Sequence, residues 1–195
     1  MCVFLRVGVG QAAEAFVLGG LNKETEFVLD HFGVPTPPLL GPLDSDSRVA
    51  IVDTNNPAEL PDDLDTLMVT SIVDHHKLCG LNTENPIEVD IRPLCSVGSV
   101  IYERLTTAGI TPPKQIAGLI LSCILSDSLE FRSPTTTEAD KVYAAQLAEI
   151  AGIGVNELAT QMFEAKADIS HLSPLEIVNM DSKVRHASFS SNALG

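Results

Sequence analysis

Two adjacent histidines follow an aspartate in the stretch SIVDHHKLCG, residues 71–80, although the chain has only five histidines. Neighbouring side chains on a β-strand point to opposite faces of the sheet, so His75 and His76 can share a pocket only if the strand ends at Asp74. The pattern therefore predicts a strand end followed by a loop that carries both imidazoles. Imidazole groups serve as general acids and bases and as metal ligands.

Three aspartates stand at positions that suit metal binding. Asp53 and Asp74 each close a β-branched run, and open parallel sheets bind ligands beyond the carboxyl ends of their strands. Asp127 ends an otherwise apolar helical segment, where a carboxylate is costly unless it is paired, hydrogen-bonded or bound to a cation. Each aspartate alone also fits a structural role as a loop, cap or helix-end group. Together with the histidines, they predict a site for Mn²⁺ or Mg²⁺ of the kind that serves phosphoryl transfer.

The first half of the chain alternates short β-branched runs with helical patterns. This layout predicts an α/β fold with a parallel sheet flanked by helices. A helix is expected to begin after the N-cap Asn22 and to end at Gly33. The expected strands are AEAFVLG (13–19), RVAIVD (48–53), TLMVTSIVD (66–74) and IEVDIRP (87–93).

The second half is expected to be mostly helical. SVGSVIYERLTTAG has one apolar stripe, and the next helix, with Thr111 as its cap, has a body so apolar that it must be buried. Thr135 and Glu138 are expected to form a capping box at the start of the following helix. One more amphipathic helix is marked by apolar residues at helical spacing, which are Val155, Leu158, Met162, Phe163 and Ile169.

Composition limits the class of protein. The chain has 195 residues and 26 acidic against 12 basic side chains, which argues against a nucleic-acid surface. No apolar run reaches the roughly 20 residues needed to cross a bilayer, so no membrane partner is expected. The four cysteines lack metal-finger or disulfide spacing, which favours reduced thiols and a cytoplasmic protein. We expect one domain over residues 1–182 and a flexible tail over 183–195.

A competing motif is GVGQAA, residues 8–13, which fits the dinucleotide fingerprint G-x-G-x-x-A with Asp30 about 20 residues further on. That fingerprint requires a long helix directly after the glycines. Gly19 and Gly20 interrupt the chain instead, which argues against a nucleotide site.

Four motifs together resemble the catalytic domain of the family II, manganese-dependent inorganic pyrophosphatases, within the DHH phosphoesterase superfamily. These motifs are VDHHKL, VGSVIYE, IAGLILSCILSDSLEFRSPTTTEAD and AEIAGI. The similarity runs from about residue 13 to about residue 182. The resemblance implies hydrolysis of pyrophosphate to two phosphates, a homodimer, and Mn²⁺ as the cofactor, with Mg²⁺ or Co²⁺ as alternatives.

The resemblance also implies the metal ligands. Asp53 matches the family aspartate that bridges two metal ions, while His75 and Asp127 match further ligands. Asp74 is then expected to hold a histidine in the right tautomer without binding the ion itself.

The resemblance also implies a residue that contacts the substrate. His76 matches the family histidine that faces the phosphate and assists the leaving group. Lys77 is expected to add positive charge near the substrate, although a solvated loop lysine is the plain alternative. One histidine of the doublet thus faces the metal and the other faces the substrate.

The chain departs from the family pattern at several points. It lacks the family's initial strand and its H-x-P-D-x-D-S motif, so the catalytic domain is expected to be N-terminally incomplete, with a central gap that CVFLRV could fill. Thr54 stands where the family has a histidine, and Cys79-Gly80 stands where a Gly-Asp pair is usual. A second domain with an Arg and Lys cluster that clamps pyrophosphate is also not found in the sequence. We therefore expect weak or no turnover by this chain alone.

Two other functions stay open from the sequence. One is a DHH phosphoesterase that acts on polyphosphate or short oligonucleotides. The other is a catalytically inactive fragment that keeps the fold as a dimerising module. Hydrolysis of a dinucleotide would indicate the first, and a lack of Mn²⁺ binding would indicate the second.

Overall fold

A five-stranded sheet forms the centre of the fold. The computed structural model describes residues 3–6, 13–45 and 47–168. Strands follow the order β2-β1-β3-β4-β5, with β3, β4 and β5 mutually parallel. The strands are β1 (Val3–Arg6), β2 (Glu14–Val17), β3 (Arg48–Val52), β4 (Met68–Asp74) and β5 (Glu88–Ile91). The predicted α/β class, with parallel strands flanked by helices, is confirmed.

Strand β1 makes the sheet mixed, because it pairs antiparallel with both β2 and β3. It lies within CVFLRV, which the sequence offered as one way to fill a central gap, and it stands between β2 and β3. An antiparallel neighbour needs only a short connection, whereas a parallel neighbour needs a crossover of a dozen or more residues. Residues 7–13, which link β1 to β2, are too few for such a crossover.

Five helices complete the described fold, four of them after the sheet. The chain enters α1 between β2 and β3, and two short 3₁₀ turns, Pro57–Glu59 and Leu64–Thr66, connect β3 to β4. The helices are α1 (Lys23–His31), α2 (Val97–Thr107), α3 (Lys114–Ser128), α4 (Glu138–Ala151) and α5 (Val155–Ala167). The predicted Ile169, the domain boundary at residue 182 and the tail over 183–195 lie outside the described residues.

The helix starts were predicted with mixed success. Asn22 caps α1 as expected, since its side chain accepts a hydrogen bond from the Thr25 N–H at 2.8 Å. The prediction that Thr111 caps α3 is wrong, because α3 begins at Lys114 directly after the prolines and has no side-chain cap. The capping box of α4 is Thr137 with Asp140, two residues later than predicted.

Helix α3 is central, as its apolar body predicts. Leu121, Ile124 and Leu125 are fully buried in a cluster that also contains residues of α1, α2, α4 and α5. A second cluster joins β3 and β4 to the 3₁₀ turns through Ile51, Leu64 and neighbouring apolar side chains. Within the described ranges, no helix combines the length and the apolar character needed to span a bilayer.

The dinucleotide hypothesis receives no support from the described elements. Strand β2 begins at Glu14, immediately after the GVGQAA motif, where the nucleotide fingerprint requires a long helix. Residues 8–12 of the motif lie outside the described part of the chain.

Helices α1 and α3 approach each other closely at Gly118. A Cβ atom placed on Gly118 would lie 2.2 Å from a ring carbon of Phe32, which is itself buried. We therefore expect Gly118→Ala to force the two helices apart and to lower the free energy of unfolding by about 1–3 kcal/mol. Urea denaturation measures the change, and Gly20→Ala is the control, because nothing lies within 4 Å of its new methyl group. Equal stabilities of the two variants would contradict this packing.

Candidate functional site

The carboxyl ends of β3 and β4 bring Asp53 and Asp74 to the same edge of the sheet. The two strands are parallel, Asp74 is the last residue of β4, and Asp53 directly follows β3. The Asp53 N–H donates to the Val73 carbonyl at 3.0 Å, so this residue is still tied to the neighbouring strand. Its φ of 72° is left-handed, a conformation that aspartate tolerates better than most residues, and it turns the chain sharply out of the sheet.

The histidine doublet completes a compact group of ligand atoms. Asp53, Asp74, His75 and His76 each offer one ligand atom, and these atoms all lie within 4.8 Å of one another. The distance from His75 Nε2 to Asp53 Oδ1 is 3.5 Å. Strand β4 ends at Asp74, as the doublet predicted, so both imidazoles extend from the loop rather than from opposite faces of a strand.

The orientation of His75 is set by a backbone carbonyl. Its Nδ1 lies 3.2 Å from the Leu94 oxygen. Because a carbonyl only accepts, Nδ1 carries a proton, and Nε2 is the nitrogen that faces Asp53, to which it donates when it is protonated. Burial by itself would lower the pKa of His75, but the hydrogen bond to Asp53 and the charge of Asp127 outweigh burial, so this pKa lies above its usual value.

His76 faces outward from the same loop. Its Nδ1 donates to Asp74 Oδ1 at 2.8 Å, and half of its side chain is exposed. The two imidazole rings stand 4.1 Å apart between centroids and are tilted by 53°. The ring of His75 is therefore directed at a carboxylate, and the free nitrogen of His76 is left for a group outside the protein.

Asp74 is fully buried and organises the loop. Besides His76, its carboxylate accepts from the backbone N–H of His75 at 2.7 Å and from the Asn55 amide at 2.6 Å. Burial would raise the pKa of Asp74, but the hydrogen bonds outweigh that effect and lower it, which keeps the carboxylate ionised.

The sequence did not point to Asn55, although it joins the two loops of the site. Its amide donates to the Lys77 carbonyl at 3.0 Å as well as to Asp74, and its oxygen accepts from the Cys79 N–H at 2.7 Å. The residue is 2% exposed. The only signal available in the sequence was its position two residues after Asp53 in a segment with no apolar pattern.

Asp127 stands one residue before the end of α3 and outside the four-residue group. Its side chain keeps contact with solvent, yet crowding by protein atoms raises its pKa, and the charge of Asp53 raises it further. A hydrogen bond from the Ser96 hydroxyl and the charge of His75 act in the opposite direction. Asp53, His75 and Asp127 therefore lie close enough to influence one another electrostatically.

These residues fit a divalent cation. The carboxylates of Asp53 and Asp127 repel each other, the Nε2 atom of His75 lies 3.5 Å from Asp53, and a cation would neutralise the repulsion. Carboxylate oxygen with imidazole nitrogen is a donor set that Mn²⁺ accepts.

The side chains of Lys77 and Thr54, which the sequence also singled out, lie outside the group of ligand atoms. Lys77 is exposed, and its described contacts are made by its backbone carbonyl rather than by its ammonium group. The Thr54 side chain is buried and donates to Glu59 at 2.7 Å. Thr54 thus ties the loop after β3 to the following 3₁₀ turn.

Comparison with known proteins gives a consistent set of relatives. A Deinococcus radiodurans protein is 43% identical over 176 residues, which cover 90% of this chain, and a Shouchella clausii protein is 39% identical over 180 residues, which cover 92%. Both are named probable manganese-dependent inorganic pyrophosphatases. A Methanococcus jannaschii crystal structure, assigned to the family II inorganic pyrophosphatases, superposes with a TM-score of 0.77 at 40% identity over 84% of this chain.

The chain spans a little over half the length of these proteins. It covers 56% of the Deinococcus protein, 58% of the Shouchella protein and 56% of the chain in the Methanococcus structure. No protein-family model matches the sequence.

The role of Asn55 can be tested by stability. Asn55→Ala removes its bonds to Asp74, Lys77 and Cys79 and leaves buried polar groups without partners, so the free energy of unfolding should fall by about 1–3 kcal/mol. Urea denaturation without added metal measures this loss. Asn56→Ala is the matched control, because Asn56 is more exposed and only caps a 3₁₀ turn and contacts Glu59. A loss in the control as large as in the test variant would contradict the bridging role.

Proposed function

We propose that this chain belongs, over the part that it spans, to the family of manganese-dependent inorganic pyrophosphatases and that it hydrolyses pyrophosphate to two phosphates with Mn²⁺. The single observation that carries the proposal is the pairing of Asp53 with the free nitrogen of His75 beyond the parallel strands β3 and β4, with Asp127 nearby. Mg²⁺ or Co²⁺ could replace Mn²⁺, because oxygen and imidazole donors accept all three.

We assign the metal-binding role to Asp53, His75 and Asp127. Asp53 and His75 already face each other at the end of the sheet, and Asp127 comes from the last turn of α3. A bound cation would polarise phosphate oxygens and neutralise charge that develops in the reaction. Asp74 is assigned a supporting role, because its carboxylate is saturated by hydrogen bonds from its own loop and from Asn55 in the loop after β3.

His76 is assigned to the substrate. With its Nδ1–H held by Asp74, its Nε2 is the nitrogen that can carry and deliver a proton. A proton given to the leaving phosphate oxygen from this atom is general acid catalysis, which typically contributes 10²–10⁴-fold to a rate. We assign to Lys77, in the same loop, the role of attracting the negatively charged substrate.

We expect turnover by the 195-residue chain to be slow. Pyrophosphate carries several negative charges, and the candidate site itself contains Asp53, Asp74 and Asp127. The loop that bears the histidines supplies only Lys77 as a cationic side chain. Catalysis of phosphoryl transfer consists mainly of positioning and charge neutralisation, so this balance disfavours a fast reaction.

Metal binding and turnover can be tested separately. Asp53→Asn and His75→Gln should weaken Mn²⁺ binding at least about tenfold in calorimetry, because each removes a ligand. His76→Gln should bind Mn²⁺ normally but lower Mn²⁺-dependent phosphate release by about 10²-fold or more. His31→Gln on α1 is the control and should change neither quantity.

Different outcomes would favour the alternatives. Faster hydrolysis of a dinucleotide than of pyrophosphate would favour a phosphoesterase of the wider superfamily. If the wild-type chain bound no Mn²⁺, it would instead be an inactive module of this fold.

We also propose a homodimer that forms through β5. In the described part of the chain, β5 pairs only with β4, which leaves its outer edge open. Beside this edge, Leu78 and Val89 are 77% and 55% exposed. Both line a cavity of about 240 Å³ together with other apolar side chains, Leu81, Ile87 and Ile91. Exposed edges with apolar side chains favour pairing with a second strand.

A charge on this edge should separate the dimer. Val89→Asp should convert dimer to monomer in sedimentation velocity, because a carboxylate at the edge opposes strand pairing. Val142→Asp is the control, since Val142 is 52% exposed on α4. A wild-type monomer, or dissociation in the control alone, would exclude β5 as the interface.

We expect the protein to act in the cytoplasm without nucleic-acid or membrane partners. The described cysteines, Cys79, Cys95 and Cys123, are free thiols, which suits a reducing compartment. The net charge of −14 opposes binding to phosphate backbones and to anionic lipid surfaces.

A further inference from the structure

We propose that Asp140 is a positioning residue of the candidate site, because it anchors the segment 94–96 that contacts both His75 and Asp127. Asp140 belongs to α4, an element that contributes none of the residues assigned above. The proposal rests on the metal site described under the proposed function, and it adds to that site a carboxylate that acts through the backbone.

The carboxylate of Asp140 is fully buried and saturated with hydrogen bonds. One oxygen, Oδ2, accepts from the N–H and the hydroxyl of Thr137 at 2.8 and 2.7 Å, which is the capping box of α4. The other oxygen, Oδ1, accepts from the Ser99 hydroxyl at 2.5 Å. The Cys95 N–H lies 3.3 Å from both oxygens.

Helix capping does not account for all of these bonds. The capping box uses Thr137 alone, whereas the bonds to Cys95 and Ser99 reach residues 45 and 41 positions away in the chain. They attach the N-terminus of α4 to the connection between β5 and α2 and to the first turn of α2. A buried carboxylate that gathers donors from two elements fixes the position of one element relative to the other.

The segment held by Asp140 carries the groups that touch the site. The Leu94 carbonyl, one residue before Cys95, accepts from His75 Nδ1 and so leaves Nε2 free. Ser96, one residue after Cys95, lies close enough to Asp127 to lower the pKa of that carboxyl group, and its hydroxyl accepts from the Gly98 N–H. A shift of this segment would therefore change the orientation of two candidate ligands at once.

The first test reads the tautomer of His75 without metal. Nitrogen NMR at a pH where the ring is neutral should show the Nδ1–H tautomer in the wild-type protein and a larger Nε2–H fraction in Asp140→Asn. Thr137→Ala is the matched control, because it weakens the same helix cap but leaves the bond to Cys95. An unchanged tautomer in Asp140→Asn, or an equal change in the control, would overturn the proposal.

The second test reads Mn²⁺ affinity by calorimetry. Asp140→Asn should bind roughly ten- to a hundredfold more weakly, as is typical when a partner of a ligand is lost, and Thr137→Ala should bind as the wild type does. Unchanged affinity in Asp140→Asn would overturn the proposal. If the wild type bound no Mn²⁺, the proposed function would fail, while the tautomer would still decide the role of Asp140.

A second variant covers the case in which Asp140→Asn does not fold. Ser99→Ala removes the stronger of the two donors to the Oδ1 oxygen and keeps the helix cap, so it should loosen the hold of Asp140 on the segment, raise the Nε2–H fraction of His75 and weaken Mn²⁺ binding. Wild-type values for both in a folded Ser99→Ala protein would overturn the proposal. The proposal would also be overturned if His75 in the wild-type protein carried its proton mainly on Nε2.

Discussion

The buried charge of Asp74 is the constraint on which the site depends. A carboxylate removed from water is tolerated only when its oxygens are fully hydrogen-bonded, and the donors here are the backbone and ring of the histidine loop and the amide of Asn55. Each donor is thereby fixed in place. The requirement to satisfy one anion thus determines how the loop leaves β4 and where both imidazoles stand.

The sequence predicted the parts of the site that a pattern can carry. A β-branched run closed by aspartate marks both the strand and its end, which is why Asp53 and Asp74 were placed at one sheet edge. Adjacent histidines are incompatible with a continuing strand, so the loop after Asp74 was also predictable. The apolar body of α3 indicated its central position, and with it the unusual place of Asp127 at the end of a buried helix.

The remainder depended on information that a local pattern does not hold. Strand β1 pairs with β2, which is near in the chain, and with β3, which is far away, and no local pattern announces the second pairing. Three consecutive threonines, 135–137, all fit a helix cap, and the choice of Thr137 is set by Asp140, whose other donors come from Cys95 before α2 and from Ser99 in its first turn. Asn55 has no periodic signal, because its importance comes from three bonds to another loop.

Electrostatics connects this site to the stability of the fold. Asp53 and Asp127 repel each other, and the pKa of Asp127 is raised by burial and by that repulsion. In the described fold the opposing charge comes from His75, whose pKa is raised by the same carboxylates against the effect of burial. A proton on His75 and a cation at its Nε2 are therefore alternative ways to relieve one repulsion. Because a cation binds the folded arrangement and not separated residues, its binding free energy adds directly to the stability of the fold.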